Sequence, residues 1–173
     1  MKKRKMQQVI VSALCATLIC LATMIFKVPI HVGGYANLGD GLVIASGYLL
    51  PASFGWLSAA VGSSLADIIS GYALYAPATF VIKGLMAFAA HLIYIKSRRS
   101  ENFAKAIASF CAEIIMVSSY FLYEIFIYGV PAASLGIYLN ICQGIIGIIS
   151  SAVIVSAVRK LNYLKDFFDS GSE

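Results

Sequence analysis

Charged residues are scarce in this chain, and their scarcity limits the folds it can adopt. Only 12% of the 173 residues are charged, whereas 60% are hydrophobic. About a quarter of a typical soluble domain is charged, and a chain of this size could not hide so much apolar surface from water. The composition therefore favours a protein whose solvent is the lipid bilayer.

The residue patterns of common active sites are also missing. The sequence contains no Walker A motif, no His-Glu-x-x-His motif and no Ser/His/Asp set, and its only histidines are His31 and His91. Cysteines occur singly within apolar runs, which is typical of packing residues rather than of disulfides or zinc sites. They are Cys15, Cys20, Cys111 and Cys142. We expect no catalytic residue, no metal and no cofactor.

Long apolar runs dominate what is present. Backbone polar groups must be paired within the bilayer, so these runs predict helices rather than isolated strands. We predict an all-α membrane protein forming a single domain over 1–173, with six transmembrane helices. The predicted spans are 6–26, 39–52, 55–69, 78–96, 103–128 and 133–158, followed by a cytoplasmic tail, 159–173. The second and third fall short of the roughly 20 residues that a crossing needs.

The basic residues predict how the chain is oriented. They fall into three clusters between apolar runs, with only Lys27 and Lys83 elsewhere. The clusters are Lys2, Lys3, Arg4 and Lys5; Lys96, Arg98, Arg99 and Lys105; and Arg159, Lys160 and Lys165. Because Lys and Arg are enriched in cytoplasmic loops, both termini are predicted to be cytoplasmic. A net charge of +5 therefore reflects topology, and no nucleic-acid partner is expected.

Polar residues recur on one face of several predicted spans. Charged groups in a span usually face the bundle interior or a cavity. The faces, read from helical spacing, are Ser63, Asp67 and Ser70; Thr79 and Lys83; Ser109, Glu113, Tyr120 and Glu124; and Gly136, Asn140, Gln143, Gly144, Gly147 and Ser151. Most of these groups lie near the predicted outer ends of their spans, beneath loops that carry tyrosines. This convergence predicts a capped pocket for a small polar or aromatic ligand.

Eight residues are the predicted substrate contacts. They are Tyr35, Asn37, Tyr75, Lys83, Tyr120, Glu124, Asn140 and Gln143. Other interpretations remain for some of them, since Lys83 could pair with Asp40 or Asp67 to hold helices together. The tyrosines could be interface anchors, and Glu113, deeper in its span, fits a packing role.

The first span carries small residues four positions apart and no charge between Met6 and Phe26. Ser12 with Ala16, and Ala13 with Thr17, form faces that let another helix approach closely. This pattern predicts either ordinary packing inside the protein or a docking surface for another membrane subunit.

Three blocks of sequence resemble one family of membrane proteins. Tyr35-Ala-Asn-Leu-Gly-Asp40, Gly62-Ser-Ser-Leu-Ala-Asp67 and Gly71-Tyr-Ala-Leu-Tyr-Ala-Pro77, with Ile82-Lys-Gly84, are similar to the S-components of energy-coupling factor (ECF) vitamin transporters. The similarity covers about Met6 to Val158. It is greatest to the branch of hydroxymethylpyrimidine, pyridoxine and riboflavin carriers.

The resemblance implies a substrate-binding subunit of a bacterial plasma membrane transporter. Such a subunit binds a vitamin at the outer face, while a transmembrane T-component and two ATPase subunits supply the energy. The loop after the first span would cover the ligand, and the small-residue face of that span would dock the T-component. The mixed pocket chemistry favours pyridoxine or hydroxymethylpyrimidine, and riboflavin also fits. The alternative is a structural or regulatory membrane protein without a small ligand.

Overall fold

The computed structural model describes residues 2–29, 34–97 and 100–160, and this part of the chain forms helices joined by short turns and one hairpin. The helices are α1 (Lys2–Ile25), α2 (Asp40–Leu49), α3 (Ala52–Ile69), α4 (Ala76–Lys96), α5 (Glu101–Tyr128) and α6 (Val130–Arg159), and the strands are β1 (Lys27–Pro29) and β2 (Tyr35–Asn37). The helices begin and end within four residues of the predicted spans. Most of the predicted cytoplasmic tail lies outside the described residues.

Proline and glycine mark several helix boundaries. Pro77 and Pro131 lie in the first turn of α4 and α6, where a missing backbone N–H costs no helical hydrogen bond. Gly129, between α5 and α6, has φ +82°, a conformation that side chains with a Cβ rarely adopt. A one-residue reversal can therefore join these two long helices.

Five of the helices are long and apolar enough to cross a membrane, which makes this a multi-pass membrane protein. They are Lys5–Ile25 of α1, Ala52–Ile69, Ala76–Lys96, Glu101–Tyr128 and Val130–Arg159. α2 has only 10 residues, about 15 Å of helix, which alone is too short for a crossing. A sixth crossing and cytoplasmic termini stay predictions.

The connection between α1 and α2, which the sequence predicted as a loop, contains a β-hairpin. β1 and β2 pair antiparallel, with Lys27 opposite Asn37 and Pro29 opposite Tyr35. Strands of three residues are too short to show a period in the sequence. The hairpin lies where α1 and α5 end and where α4 and α6 begin, and we call this the hairpin end of the bundle.

The helix faces predicted from polar spacing turn inward. Thr79, Lys83, Ser109, Glu113, Glu124, Asn140, Gln143 and Ser151 are all buried. Large apolar side chains such as Phe126 and Leu135 are exposed instead, as expected where the surrounding solvent is lipid. α3 packs between α1 and α4, and α2 packs against α4 and α6. Polar groups therefore occupy the interior of the bundle.

Candidate functional site

A cavity at the hairpin end brings the predicted substrate contacts together. It is nearly closed, since only about 20 Å³ is open to the centre of a water-sized sphere, enough for about one water molecule. Its lining is Thr23, Gly34, Tyr35, Asn37, Ser63, Asp67, Tyr75, Thr79, Lys83, Tyr120, Glu124, Asn140 and Gln143. All eight predicted residues are in this set. Five lining residues were not among the predicted contacts. Ser63, Asp67 and Thr79 lie on the predicted polar faces, whereas Thr23 and Gly34 carry no pattern in the sequence.

Four polar atoms in this lining have no hydrogen-bond partner among the described residues. They are Ser63 Oγ, Asp67 Oδ2, Glu124 Oε2 and Asn140 Nδ2, on side chains that are at most 4% exposed. Leaving such groups buried and unpaired is costly, and native structures rarely do so. A ligand that both donates and accepts hydrogen bonds would satisfy all four.

Lys83 is already paired inside the bundle. Its ammonium group forms an ion pair with Asp40, and both side chains are at least 98% buried. Lys83 Nζ also lies 5.4 Å from the centre of the Tyr120 ring, close enough for a cation–π contact. The pairing interpretation of Lys83 is therefore correct for Asp40, whereas Asp67 has a different partner. The positive charge of Lys83 at the cavity is therefore balanced by Asp40.

Two tyrosines hold the carboxylates of the cavity. The Tyr35 hydroxyl donates to Asp67 Oδ1 at 2.5 Å, and the Tyr75 hydroxyl donates to Glu124 Oε1 at 3.4 Å. Burial, reinforced by Asp67, raises the pKa of Tyr35, and burial, reinforced by Glu124, raises the pKa of Tyr75. Both hydroxyls therefore remain donors at neutral pH.

Gln143 has both ends of its amide occupied. Its Oε1 accepts from the backbone N–H of Asn37 at 2.8 Å, and its Nε2 donates to Asp40 Oδ2 at 2.6 Å. The side chain is 4% exposed. Gln143 lines the cavity as predicted, but its hydrogen bonds go to the hairpin and to α2.

The small residues of α1 divide between two surfaces. Ser12 is buried, and its hydroxyl lies 2.8 Å from the hydroxyl of Ser58 in α3. A Cβ at Gly62 would collide with the backbone oxygen of Ala16, so this side of α1 packs closely on α3. Ala13 and Thr17 are exposed. Ser12 therefore serves internal packing, and a docking role is left to the face of Ala13 and Thr17.

Comparison with known proteins places the chain in a family. Residues 3–160 match the family model described as the S component of ECF-type riboflavin transporters. An uncharacterized Pyrococcus woesei protein, described as lying in a gap 3′ region, is 31% identical over 133 residues, which span 76% of this chain and 87% of that protein.

A solved structure, described as the S component of a bacterial ECF transporter, shares the fold with a TM-score of 0.70. The likeness covers 93% of this chain and 99% of that one at 22% identity. Together with the family match, which extends over nearly all the described residues, it confirms the resemblance seen in the sequence blocks. The chain belongs to the S components of ECF transporters, which are substrate-binding transport subunits and not enzymes.

Proposed function

We propose that this chain binds a neutral heterocyclic vitamin in the hairpin-end cavity and delivers it to an ECF transporter. The observation that carries the proposal is the set of four buried polar atoms without partners that line the cavity: Ser63 Oγ, Asp67 Oδ2, Glu124 Oε2 and Asn140 Nδ2. Their mixed character requires a ligand with both donors and acceptors, and tyrosine rings supply surfaces for a planar ring.

Riboflavin is the first candidate substrate, because the matching family is described by it. Its ring carbonyls, ring N–H and hydroxyl-bearing chain offer donors and acceptors together. Pyridoxine and hydroxymethylpyrimidine, which the sequence favoured, carry the same kinds of group on smaller rings. The ion pair between Lys83 and Asp40 supports a neutral ligand over a polyanion, because among the described lining residues no cation is left unpaired to bind a negative charge.

The rest of the proposal concerns partners and placement. The sequence contains no Walker A motif, which supports a division of labour with a T-component and two ATPase subunits. We place the cavity at the outer face of a bacterial plasma membrane, with both termini in the cytoplasm. No nucleic acid takes part.

Co-purified ligand tests this function directly. The protein is purified in detergent and denatured, and the released small molecules are identified by mass spectrometry. Riboflavin, pyridoxine and hydroxymethylpyrimidine are then titrated separately against ligand-depleted protein. We expect one of them to bind below micromolar concentration. If none binds at micromolar concentration, the transport function is rejected in favour of a structural or regulatory membrane protein.

A further inference from the structure

Strand β2 is fastened at both of its ends to the walls of the cavity. At one end, the Tyr35 hydroxyl donates to Asp67 of α3, and the Tyr35 ring lies 4.6 Å from that of Tyr72. At the other end, the backbone N–H of Asn37 donates to Gln143 Oε1 of α6. The strand therefore bridges the α3 wall and the α6 wall of the cavity.

The fastening at Asn37 continues into the bundle. The side-chain amide of Gln143 is hydrogen-bonded to Asn37 at its oxygen and to Asp40 at its nitrogen. The second carboxylate oxygen of Asp40 contacts Lys83. All three side chains are at most 4% exposed. Polar contacts buried this deeply are little weakened by water, so breaking one leaves costly unpaired groups.

Lys83 ends this series of contacts and lines the cavity as well. A ligand that touches Lys83 or the adjacent Tyr120 ring is thus three contacts away from the hairpin, through Asp40 and Gln143. Asp40 does not belong to the cavity lining, so it can influence a ligand only through its neighbours.

Building on the proposed function, we propose that Gln143 and Asp40 are positioning residues that hold strand β2 closed over the bound vitamin. The relay, which we define as Asn37 N–H, Gln143, Asp40 and Lys83, sets how long the ligand stays. A ligand leaving toward the hairpin end must displace β2, and the relay resists that movement. Gln143 then acts on the ligand through the hairpin, in addition to any contact from the cavity wall that it lines.

Amide hydrogen exchange of Asn37 tests the fastening without any ligand. Gln143→Met keeps the length of the side chain but removes both hydrogen bonds. We expect the Asn37 amide to exchange on the order of tenfold faster in ligand-free Gln143→Met, since the net value of such hydrogen bonds corresponds to about that factor. Asn140→Leu, one turn away and outside the relay, should leave this exchange unchanged.

Ligand dissociation tests the functional half. With bound riboflavin, or whichever candidate vitamin binds, Gln143→Met should dissociate on the order of tenfold faster and associate at nearly the wild-type rate. Asp40→Asn keeps the side-chain size and breaks the ion pair with Lys83, and it should also speed dissociation although Asp40 does not line the cavity. Cys142→Ser, an exposed neighbour of Gln143, should change neither measurement.

The possible results separate cleanly. Unchanged Asn37 exchange in folded Gln143→Met overturns the fastening, and faster exchange with unchanged dissociation overturns its effect on the ligand. Should Gln143→Met fail to fold, Asp40→Asn decides by the same two measurements. If the wild-type protein binds none of the three vitamins, the proposed function is wrong, and so is the proposed effect of the relay on ligand dissociation. The exchange result still decides whether Gln143 holds the hairpin.

Discussion

At the scale of single residues, the buried polar groups at the hairpin end fall into two classes. Lys83, Asp40 and Gln143 satisfy one another. Glu124 and Asn140 each keep an atom without a partner in the described structure. Residues of the first class hold the fold together, and residues of the second offer hydrogen bonds to a ligand. Substitutions in the first class should therefore lower stability, and substitutions in the second should weaken binding.

Glu124→Ala and Asn140→Ala should each weaken vitamin binding at least tenfold and leave the thermal stability of the ligand-free protein nearly unchanged. Each change removes a group that has no protein partner for one of its atoms, so the folded state loses little while the complex loses a hydrogen bond to a charged or amide group. Isothermal titration and thermal unfolding in detergent measure the two effects.

Glu113→Gln is the matched control for Glu124→Ala. Glu113 is equally buried on the same helix but does not line the hairpin-end cavity, and binding should be unchanged. Loss of folded Glu124→Ala protein with unaltered affinity in the remainder would show that Glu124 serves packing.

Lys83→Met should destabilise the ligand-free protein strongly. Removing one partner of a buried ion pair leaves the other charge unpaired, a change that typically costs about 3–5 kcal/mol. The double variant Lys83→Met/Asp40→Asn removes that charge and should recover much of the loss, as judged by thermal unfolding. If the double variant is no more stable than the single one, the ion pair is not what the fold depends on here.

At the scale of elements, the helices and their inward faces could be predicted, because polar residues at helical spacing are costly in lipid and must turn inward. The spacing of Asn140 and Gln143 therefore located one wall of the cavity from the sequence alone. The hairpin could not be predicted, and neither could the use of Gln143, since both depend on contacts between residues far apart in the chain, such as Asn37 with Gln143.

The packing of α6 on α5 depends on glycine at 147. A Cβ there would collide with Glu113 Oε1 and lie 3.0 Å from the Cβ of Asp40. Gly147→Ala should cost about 1–3 kcal/mol of stability, the usual range for overpacking. In a Glu113→Ala background part of that cost should vanish, because the colliding carboxylate is gone. Equal costs in both backgrounds, measured by thermal unfolding, would contradict this account.

Helix α1 offers an exposed face that carries Ala13 and Thr17, and we expect the T-component to pack there. Ala13→Leu should leave vitamin binding intact and reduce uptake severalfold in cells that express the whole transporter, because a large side chain keeps helices apart. Leu14→Ile, a change at an exposed apolar position on the next face, should leave both unchanged. Normal uptake by Ala13→Leu would rule out this face.

At the scale of the whole molecule, we propose that α2 and the hairpin together make a sixth crossing. Asp40, the first residue of α2, pairs with Lys83, which lies about 10 Å along α4 from its start at Ala76, so α2 begins inside the bundle. Its 10 residues add about 15 Å toward the opposite end. The depth at which α2 begins and the length of α2 together approach the hydrocarbon thickness of about 30 Å.

The number of crossings decides whether the two termini lie on the same side of the membrane. With α2 completing a crossing, the chain crosses an even number of times, and the basic clusters place both ends in the cytoplasm. Fluorescent-protein fusions, which fluoresce only in the cytoplasm, should be bright at either end, and alkaline phosphatase fusions at the same ends should be inactive. If α2 merely dips into the bundle and returns, five crossings remain, and the two termini will report opposite sides. That outcome would also separate the hairpin-end cavity from the outer face we assign to it, because the basic clusters would no longer share one compartment.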